Sequence, residues 1–313
     1  MKKHIKITGL ALALAAGSIL VFSAADGSAE PPSGLGPAPF RAGLRSSPYG
    51  SRNGFPAPQY WLGAARSMAS RFEHAAPTLV WIVGTMETAG AAVPQKEFSG
   101  RVRLSFPAPG KIKFNHIVFA NQDANEAYLE QFDKNGLQVW LQVEPAHADV
   151  GTLIELVLER YGKHPCVIGF GIDVEWHRWS RQNHAGVAVS DAQAEAWSKK
   201  VRSYNPSYRL FMKHWLRSKM PPHYRQDMVF INNGQRFISL AHLGRDFEKW
   251  GKAFYPTAVG FQFGYPADRA WWGQLNDPAK EIGRVLLSRI PNTSDLIWVD
   301  FTMKEIWGPA APQ

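Results

Sequence analysis

Residues 167–176 read Val-Ile-Gly-Phe-Gly-Ile-Asp-Val-Glu-Trp, an apolar run that ends in two carboxylates two positions apart. A short apolar run of this kind predicts a buried β-strand. Side chains alternate between the faces of a strand, so Asp173 and Glu175 are expected to point the same way. At about 3.3 Å of rise per residue, their attachment points would lie roughly 6 to 7 Å apart. The stretch therefore predicts a strand whose exit presents two acids to one space.

The same kind of apolar run recurs along the chain, with helical patterns between the runs. We predict eight strands rich in Val, Ile, Phe and Trp, over residues 78–86, 115–120, 137–143, 167–174, 208–215, 228–232, 258–263 and 296–301. The clearest helix covers 150–161 behind the N-cap residue Asp149. Another begins at a capping box of Ser190 and Gln193, and two more fit 239–254 and 278–289.

Strands that alternate with helices favour the α/β class, and eight of them favour a single-domain (β/α)8 TIM-type barrel. An open doubly wound sheet is the alternative, but no Gly-rich phosphate loop follows any predicted strand. We assign the barrel to residues 59–313. Residues 26–58 are rich in Pro, Gly, Ser and Ala, and we interpret them as a linker.

The first 25 residues have the layout of an export signal. Lys2, Lys3 and Lys6 precede an uncharged run over residues 7–25, and small residues close it. We therefore predict a signal peptide at 1–25 and a secreted or cell-envelope protein. An uncleaved membrane anchor is the alternative, because the run is nearly long enough to span a bilayer.

Charge and cysteine content limit the partners. The formal charge of +9 becomes +6 without residues 1–25, which hold three lysines and no acids. Such a protein can gather on anionic cell-surface polymers, whereas no Arg/Lys-rich block or nucleic-acid motif indicates a nucleic-acid partner. Cys166 is the single cysteine, which excludes an intrachain disulfide, and we interpret it as a packed strand residue. We expect a monomer with no cofactor and no metal.

Functional residues of TIM-type barrels lie where the strands run into the following loops. The predicted strand exits carry Glu87, Asn121, Gln122, Asp123, Gln142, Glu144, Asp173, Glu175, Lys213, His214, Asn232, Asn233, Gln235, Gln262, Tyr265 and Asp300. Core packing does not require a polar residue after every apolar strand. The pattern therefore indicates a functional site at this end of the barrel.

Glu144 and Lys213 each have a functional interpretation. A third inward carboxylate at Glu144 would raise the pKa of Glu175 by like-charge repulsion, although Glu144 could equally be the ion-pair partner of Lys213. A lysine in an apolar strand is rarely buried without a carboxylate, so we expect Lys213 to hold one acid ionised. Aromatic rings near the exits can stack on sugar rings. Most of them are expected to pack loops, and Trp176 and Trp298 are the preferred exceptions.

Residues 169–176 resemble the fourth-strand signature of the chitinase-type glycoside hydrolases of family 18, Asp-x-x-Asp-x-Asp-x-Glu. By position, the resemblance implies that Glu175 is the proton donor and that Asp173 assists a substrate acetamido group. Gly171 and Ile168 stand at the positions of the two earlier acids. A Trp on the last strand, here Trp298, is also similar to that family. The Asp-x-Glu strand end is similar to the muramidases of family 25 as well.

These patterns predict a secreted glycoside hydrolase that acts on a polysaccharide or cell-wall glycan. Glu175 and Asp173 are the predicted catalytic residues. The predicted substrate-binding residues are Glu144, Gln142, Lys213, Asn232, Gln262, Tyr265, Trp176, Trp298 and Asp300.

Three alternatives remain open. The first is a metal-dependent hydrolase or deacetylase that uses His177 and His214 beside the acids, although no His-Glu-x-x-His motif is present. The second is a carbohydrate-binding barrel without catalysis, which the two missing signature acids favour. The third is an ion-paired strand end in a purely structural barrel.

Overall fold

Hydrogen bonds join ten strands into one sheet within residues 35–49, 55–88 and 98–308, which are the residues that this computed structural model describes. The strands are β1 (Arg41–Arg45), β2 (Ala76–Thr88), β3 (Phe98–Leu104), β4 (Ile117–Phe119), β5 (Gln138–Val143), β6 (Val167–Asp173), β7 (Arg209–Lys213), β8 (Met228–Asn232), β9 (Ala258–Phe263) and β10 (Thr293–Val299). Eight of them pair in parallel in the order β1-β2-β5-β6-β7-β8-β9-β10, and β10 returns to β1. The predicted (β/α)8 barrel is confirmed.

The helices that cover this barrel include the four predicted ones, which correspond to the third, fourth, fifth and seventh in chain order. They are α1 (Pro58–Ala69), α2 (Glu126–Lys134), α3 (Val150–Tyr161), α4 (Asp191–Tyr204), α5 (Leu240–Phe254), α6 (Arg269–Trp272), α7 (Pro278–Arg289) and α8 (Met303–Trp307). The Asp149 carboxylate accepts the N–H of Thr152 at the start of α3. Ser190 and Gln193 form both bonds of the capping box at α4. Local capping chemistry was therefore a reliable guide to where these helices begin.

The first barrel strand lies inside the segment that was interpreted as a linker. Arg41–Arg45 is buried and pairs in parallel with β10 on one side and β2 on the other. The linker boundary at residue 58 is therefore wrong. The sequence of this strand contains two arginines and a glycine in five residues, so it does not form an apolar run. The charges of the two arginines are neutralised by acids that are distant in the sequence. Arg41 lies 3.6 Å from Asp295 and Arg45 lies 3.0 Å from Asp300.

The predicted strand over 115–120 is real but lies outside the barrel. It forms β4, which pairs only with β3 among the described strands, and β3 runs antiparallel to the far end of β2. The predicted signal at 1–25 lies outside the described residues. Within the described ranges, no helix has the length and apolar character needed to span a membrane.

The barrel interior contains an aromatic plug beneath its polar end. Val80, Trp140, Phe211, Val229, Ile231 and Ile297 form a buried cluster separate from the main core between sheet and helices. The Trp140 indole N–H crosses this space to Asp295 at 3.1 Å. Gly171 makes room for the plug, since a Cβ there would lie 2.0 Å from the Phe211 ring. Inward positions two residues further along the strands carry the polar groups described next.

Candidate active site

Glu144, Asp173 and Lys213 lie side by side at the carboxyl ends of three neighbouring strands. Val143 pairs with Ile172, so Glu144 follows β5 at the level of Asp173, and Asp173 pairs with Lys213. Neighbouring strands lie about 4.8 Å apart. The Lys213 ammonium is 2.5 Å from Oδ2 of Asp173, and both side chains are almost fully buried. Lys213 is thus the ion-pair partner of Asp173, and its role of holding an acid ionised stays a prediction.

Glu144 is buried beside this ion pair and receives neutral donors. Its Oε2 accepts the Tyr49 hydroxyl at 2.7 Å and the Met86 backbone N–H at 2.9 Å. Burial raises the pKa of Glu144 to about 7, and repulsion from Asp173 adds to the rise. Burial and the adjoining carboxylate also raise the pKa of the Tyr49 hydroxyl. Glu144 is therefore not the ion-pair partner of Lys213.

Glu175 does not lie on the strand, which corrects the geometry expected from its spacing to Asp173. Strand β6 ends at Asp173, and Val174–Trp176 form one 3-10 turn. Strand rise consequently does not fix the separation of the two acids. Burial is the largest cause of the rise in the pKa of Glu175 to about 8. Repulsion from Asp173 adds to this rise, and repulsion from Glu144 adds a smaller amount. Lys213 and a hydrogen bond from Asn233 oppose the rise only in part.

A cavity of about 600 Å³ opens beside Glu175. Its wall is formed by Glu175, Trp215, Leu216, Asn233, Gly234, Gln235, Arg236, Phe237, His242 and Asp246. Its volume falls in the range of small-molecule sites, roughly 300 to 1,000 Å³. The Trp215 indole is 37% exposed and packs on the His214 ring, with centroids 4.3 Å apart and the planes tilted by 31°. Trp215 follows the end of β7, so the alternation of side chains along a strand does not predict its exposure.

Several buried amide and carboxylate atoms near this end of the barrel have no hydrogen-bond partner within the described ranges. They are Oε1 and Nε2 of Gln142, Nε2 of Gln262, Oδ1 of Asn233 and Oδ1 of Asp173. Tyr265 donates a long bond of 3.4 Å to Oε1 of Gln262. Most buried polar groups in folded proteins are paired with protein atoms or ordered water. Their concentration here is typical of a ligand-binding site rather than a packed core.

Trp298 was predicted to contact substrate, and the structure contradicts this. Its side chain is fully buried and packs edge-on against Phe263 and Trp272, while its N–H donates to Oγ1 of Thr302. Ile297 belongs to the barrel interior, so its neighbour Trp298 faces the helices. Strand alternation therefore places Trp298 in the outer core.

Three other predicted binding residues have structural partners. Asp300 accepts the backbone N–H and the hydroxyl of Ser47 besides pairing with Arg45. Asn232 accepts the N–H of Gly234 at 2.7 Å and shapes the turn that follows β8. The Trp176 ring packs on Trp179 and is not among the residues that line the cavity. These contacts place the three residues in support of the site rather than on its surface.

The two histidines of the metal hypothesis are directed at backbone atoms of the loop after β6. The His177 ring contacts the carbonyl of Val187 at 3.0 Å, and the His214 ring contacts that of Ala185 at 2.9 Å. The other ring nitrogen of His214 accepts the N–H of Leu216. In the described part of the chain, no three His, Cys, Asp or Glu side chains are grouped as metal ligands. The candidate metal ligands are thus not assembled.

Comparison with known proteins gives only distant structural matches. No protein-family model and no curated protein matches the chain, so the resemblance to family 18 is not confirmed. A broad-specificity endoglucanase from an uncultured bacterium matches at TM-score 0.45 and 9% identity, over 83% of this chain and 86% of that one. The intracellular xylanase of Thermoanaerobacterium saccharolyticum matches at 0.40 and 8%, over 88% and 90%.

An endocellulase from Pyrococcus horikoshii, in complex with cellotetraose, matches at TM-score 0.40 and 12% identity, over 79% of this chain and 86% of that one. These solved structures are glycoside hydrolases by name. At such low scores and identities, the matches establish neither common ancestry nor a shared activity.

Proposed function

We propose that the protein is a glycoside hydrolase in which Glu175 protonates the leaving oxygen. One observation carries this proposal: Glu175, whose pKa burial raises to about 8, lies at the wall of a cavity and beside the ion-paired carboxylate of Asp173. Paired acids whose environments separate their protonation states are typical of glycosidic bond cleavage. The amide of Gln142 and the Nε2 of Gln262, which have no described partner, would then bind sugar hydroxyls, directly or through water.

Asp173 would act by its charge. Lys213 holds one of its oxygens, and the other has no hydrogen-bond partner among the described residues. A negative charge fixed close to the reacting sugar stabilises the positive charge that develops in the transition state. Because Asp173 is buried, this interaction would be screened little by solvent.

We expect the hydrolytic activity to be lost at alkaline pH. The acid must carry its proton, so kcat/KM should fall as the pH rises through about 8, the pKa of Glu175. The measurement is release of new reducing ends from a panel of chitin, peptidoglycan and galactosaminoglycan polymers, followed by a pH profile on the responding substrate. An alkaline limb that lies far from this pH would contradict the assignment of Glu175.

Trp215 is expected to be a platform for a sugar ring, because its exposed indole face lies in the same cavity as Glu175. Truncation of an aromatic side chain removes the face on which a sugar ring can stack. Trp215→Ala should therefore raise KM about tenfold with a smaller change in kcat. Trp215→Phe is the matched control and should keep most of the affinity. Equal losses in both variants would indicate a role in folding the loop instead.

A carbohydrate-binding protein without catalysis is the second candidate. It is favoured by Gly171, which occupies the place of a family-18 acid and lies too close to the Phe211 ring to admit a side chain. A turnover assay beside a binding assay separates the two functions.

A further inference from the structure

Three carboxyl groups, those of Glu144, Asp173 and Glu175, lie near Lys213 at the end of the barrel. The Lys213 ammonium lies against Asp173, which leaves Glu144 and Glu175 without a cation in direct contact among the described residues. The other buried cation nearby, Arg45, is bound to Asp300 at 3.0 Å. Glu144 and Glu175 both lie near enough to interact electrostatically with the ion pair, one from the end of β5 and the other from the turn after β6.

Glu144 is held in a fixed orientation by two donors. The Tyr49 hydroxyl and the Met86 N–H both bind Oε2, and the three residues come from separate segments after β1, within β2 and after β5. A merely structural carboxylate in a barrel would be expected to pair with a cation, as Asp295 does with Arg41 and Asp300 with Arg45. Within the described ranges, Glu144 instead receives neutral donors, which leaves its ionisation adjustable.

We propose that Glu144 is the catalytic base that complements Glu175, and that Tyr49 positions it. The inference rests on the proposed glycosidase function. In the reaction, Glu144 removes a proton from water while the water oxygen forms a bond to the anomeric carbon. The bond from that carbon to the glycosidic oxygen breaks, its electron pair goes to the oxygen, and Glu175 supplies the proton. One water is consumed, and the anomeric configuration is inverted.

The ionisation of both groups fits these opposite roles. The pKa of Glu144 is raised to about 7 and that of Glu175 to about 8. The charged or titratable groups that act on Glu144 are Asp173, Lys213 and Tyr49, and Glu144 and Glu175 repel each other as well. A base must be ionised, so activity should rise through about pH 7 and fall through about pH 8. A general base works best when its pKa lies near the working pH.

The first test is chemical rescue of Glu144→Ala with sodium azide, on the glycan that the parent protein cleaves. We expect about a 100-fold to 10,000-fold loss of kcat and its partial recovery with azide, which forms a glycosyl azide of inverted configuration. A folded variant that keeps the parent rate, or that azide does not rescue, overturns the inference. Glu144→Gln, which preserves shape, gives a second inactive variant should the alanine variant not fold.

The second test needs no substrate. With ¹³C-labelled glutamate carboxyls, the resonance lost in Glu144→Gln should titrate near pH 7 in the parent. Tyr49→Phe removes a donor to the ionised form, so the midpoint should move to higher pH, and the acidic limb of activity should move with it. Tyr161→Phe is the matched control, because Tyr161 donates to Asp123 at 2.8 Å, at residues that do not line the cavity. An unshifted midpoint in Tyr49→Phe contradicts the role of Tyr49.

The two levels of failure are distinguishable. A parent protein that cleaves no glycan in the panel removes the proposed function and this inference together. An active parent whose Glu144→Ala and Glu144→Gln variants keep its rate removes only the role of Glu144.

Discussion

Glu175→Gln is expected to lower kcat on the responding glycan by about 100-fold to 10,000-fold while leaving the fold intact. Glutamine has the shape of a protonated glutamate, so it can occupy the same position beside Asn233, but it cannot transfer a proton. Because the parent side chain is held largely protonated at neutral pH, the substitution removes no charge that the fold requires there. The measurements are turnover, glycan affinity and thermal unfolding.

Glu195→Gln is the control for this experiment. Glu195 lies on α4 in an exposed pair with Lys199, and its substitution should leave turnover unchanged. If Glu175→Gln hydrolyses the substrate at the parent rate, Glu175 is not the acid. If neither the parent nor the variant turns over a glycan that both bind, the protein is the carbohydrate-binding barrel instead.

Lys213→Met is expected to destabilise the protein by about 3 to 5 kcal/mol, because it leaves the buried Asp173 carboxylate without its cation. The free energy of unfolding from urea titration measures the effect. The double variant Lys213→Met with Asp173→Asn should regain much of the loss, since no uncompensated charge then remains in the interior. Recovery of folding without recovery of turnover would separate the stabilising role of the pair from its proposed role in catalysis.

Lys199→Met supplies the matched control, because Lys199 makes a salt bridge with Glu195 on the surface of α4. Exposed pairs of this kind contribute about 0 to 1 kcal/mol. A Lys213→Met variant no less stable than Lys199→Met would show that the buried pair does not depend on its positive partner.

Much of the fold followed from local signals in the sequence. Seven of the predicted strands correspond to barrel strands, because parallel strands are buried on both sides and read as apolar runs. The helix starts at Asp149 and Ser190 were predictable because capping is a contact between residues three apart. β1 could not be recognised in the same way, since Arg41 and Arg45 are neutralised by Asp295 and Asp300, more than two hundred residues away.

The sequence pointed to the acids of the candidate site but not to the residues that line its cavity. The spacing of Asp173 and Glu175 located both, whereas the end of β6 at Asp173 and the turn that follows depend on tertiary contacts. Trp298 was misplaced because one position along a strand exchanges the two faces. Trp215 and Tyr49 lie in loops, whose side-chain directions no periodic pattern determines. Tyr49 could have been found only by recognising β1.

The bonds from Asp300 to Ser47 and Arg45 join the exit of the last strand to that of the first, two residues before Tyr49. The position of Tyr49 beside Glu144 thus depends on Asp300, which is synthesised some 250 residues later than Tyr49. A polypeptide still emerging from the ribosome lacks that anchor. We therefore expect the contact between Tyr49 and Glu144, and with it the proposed glycosidase activity, to form only after translation has passed Asp300.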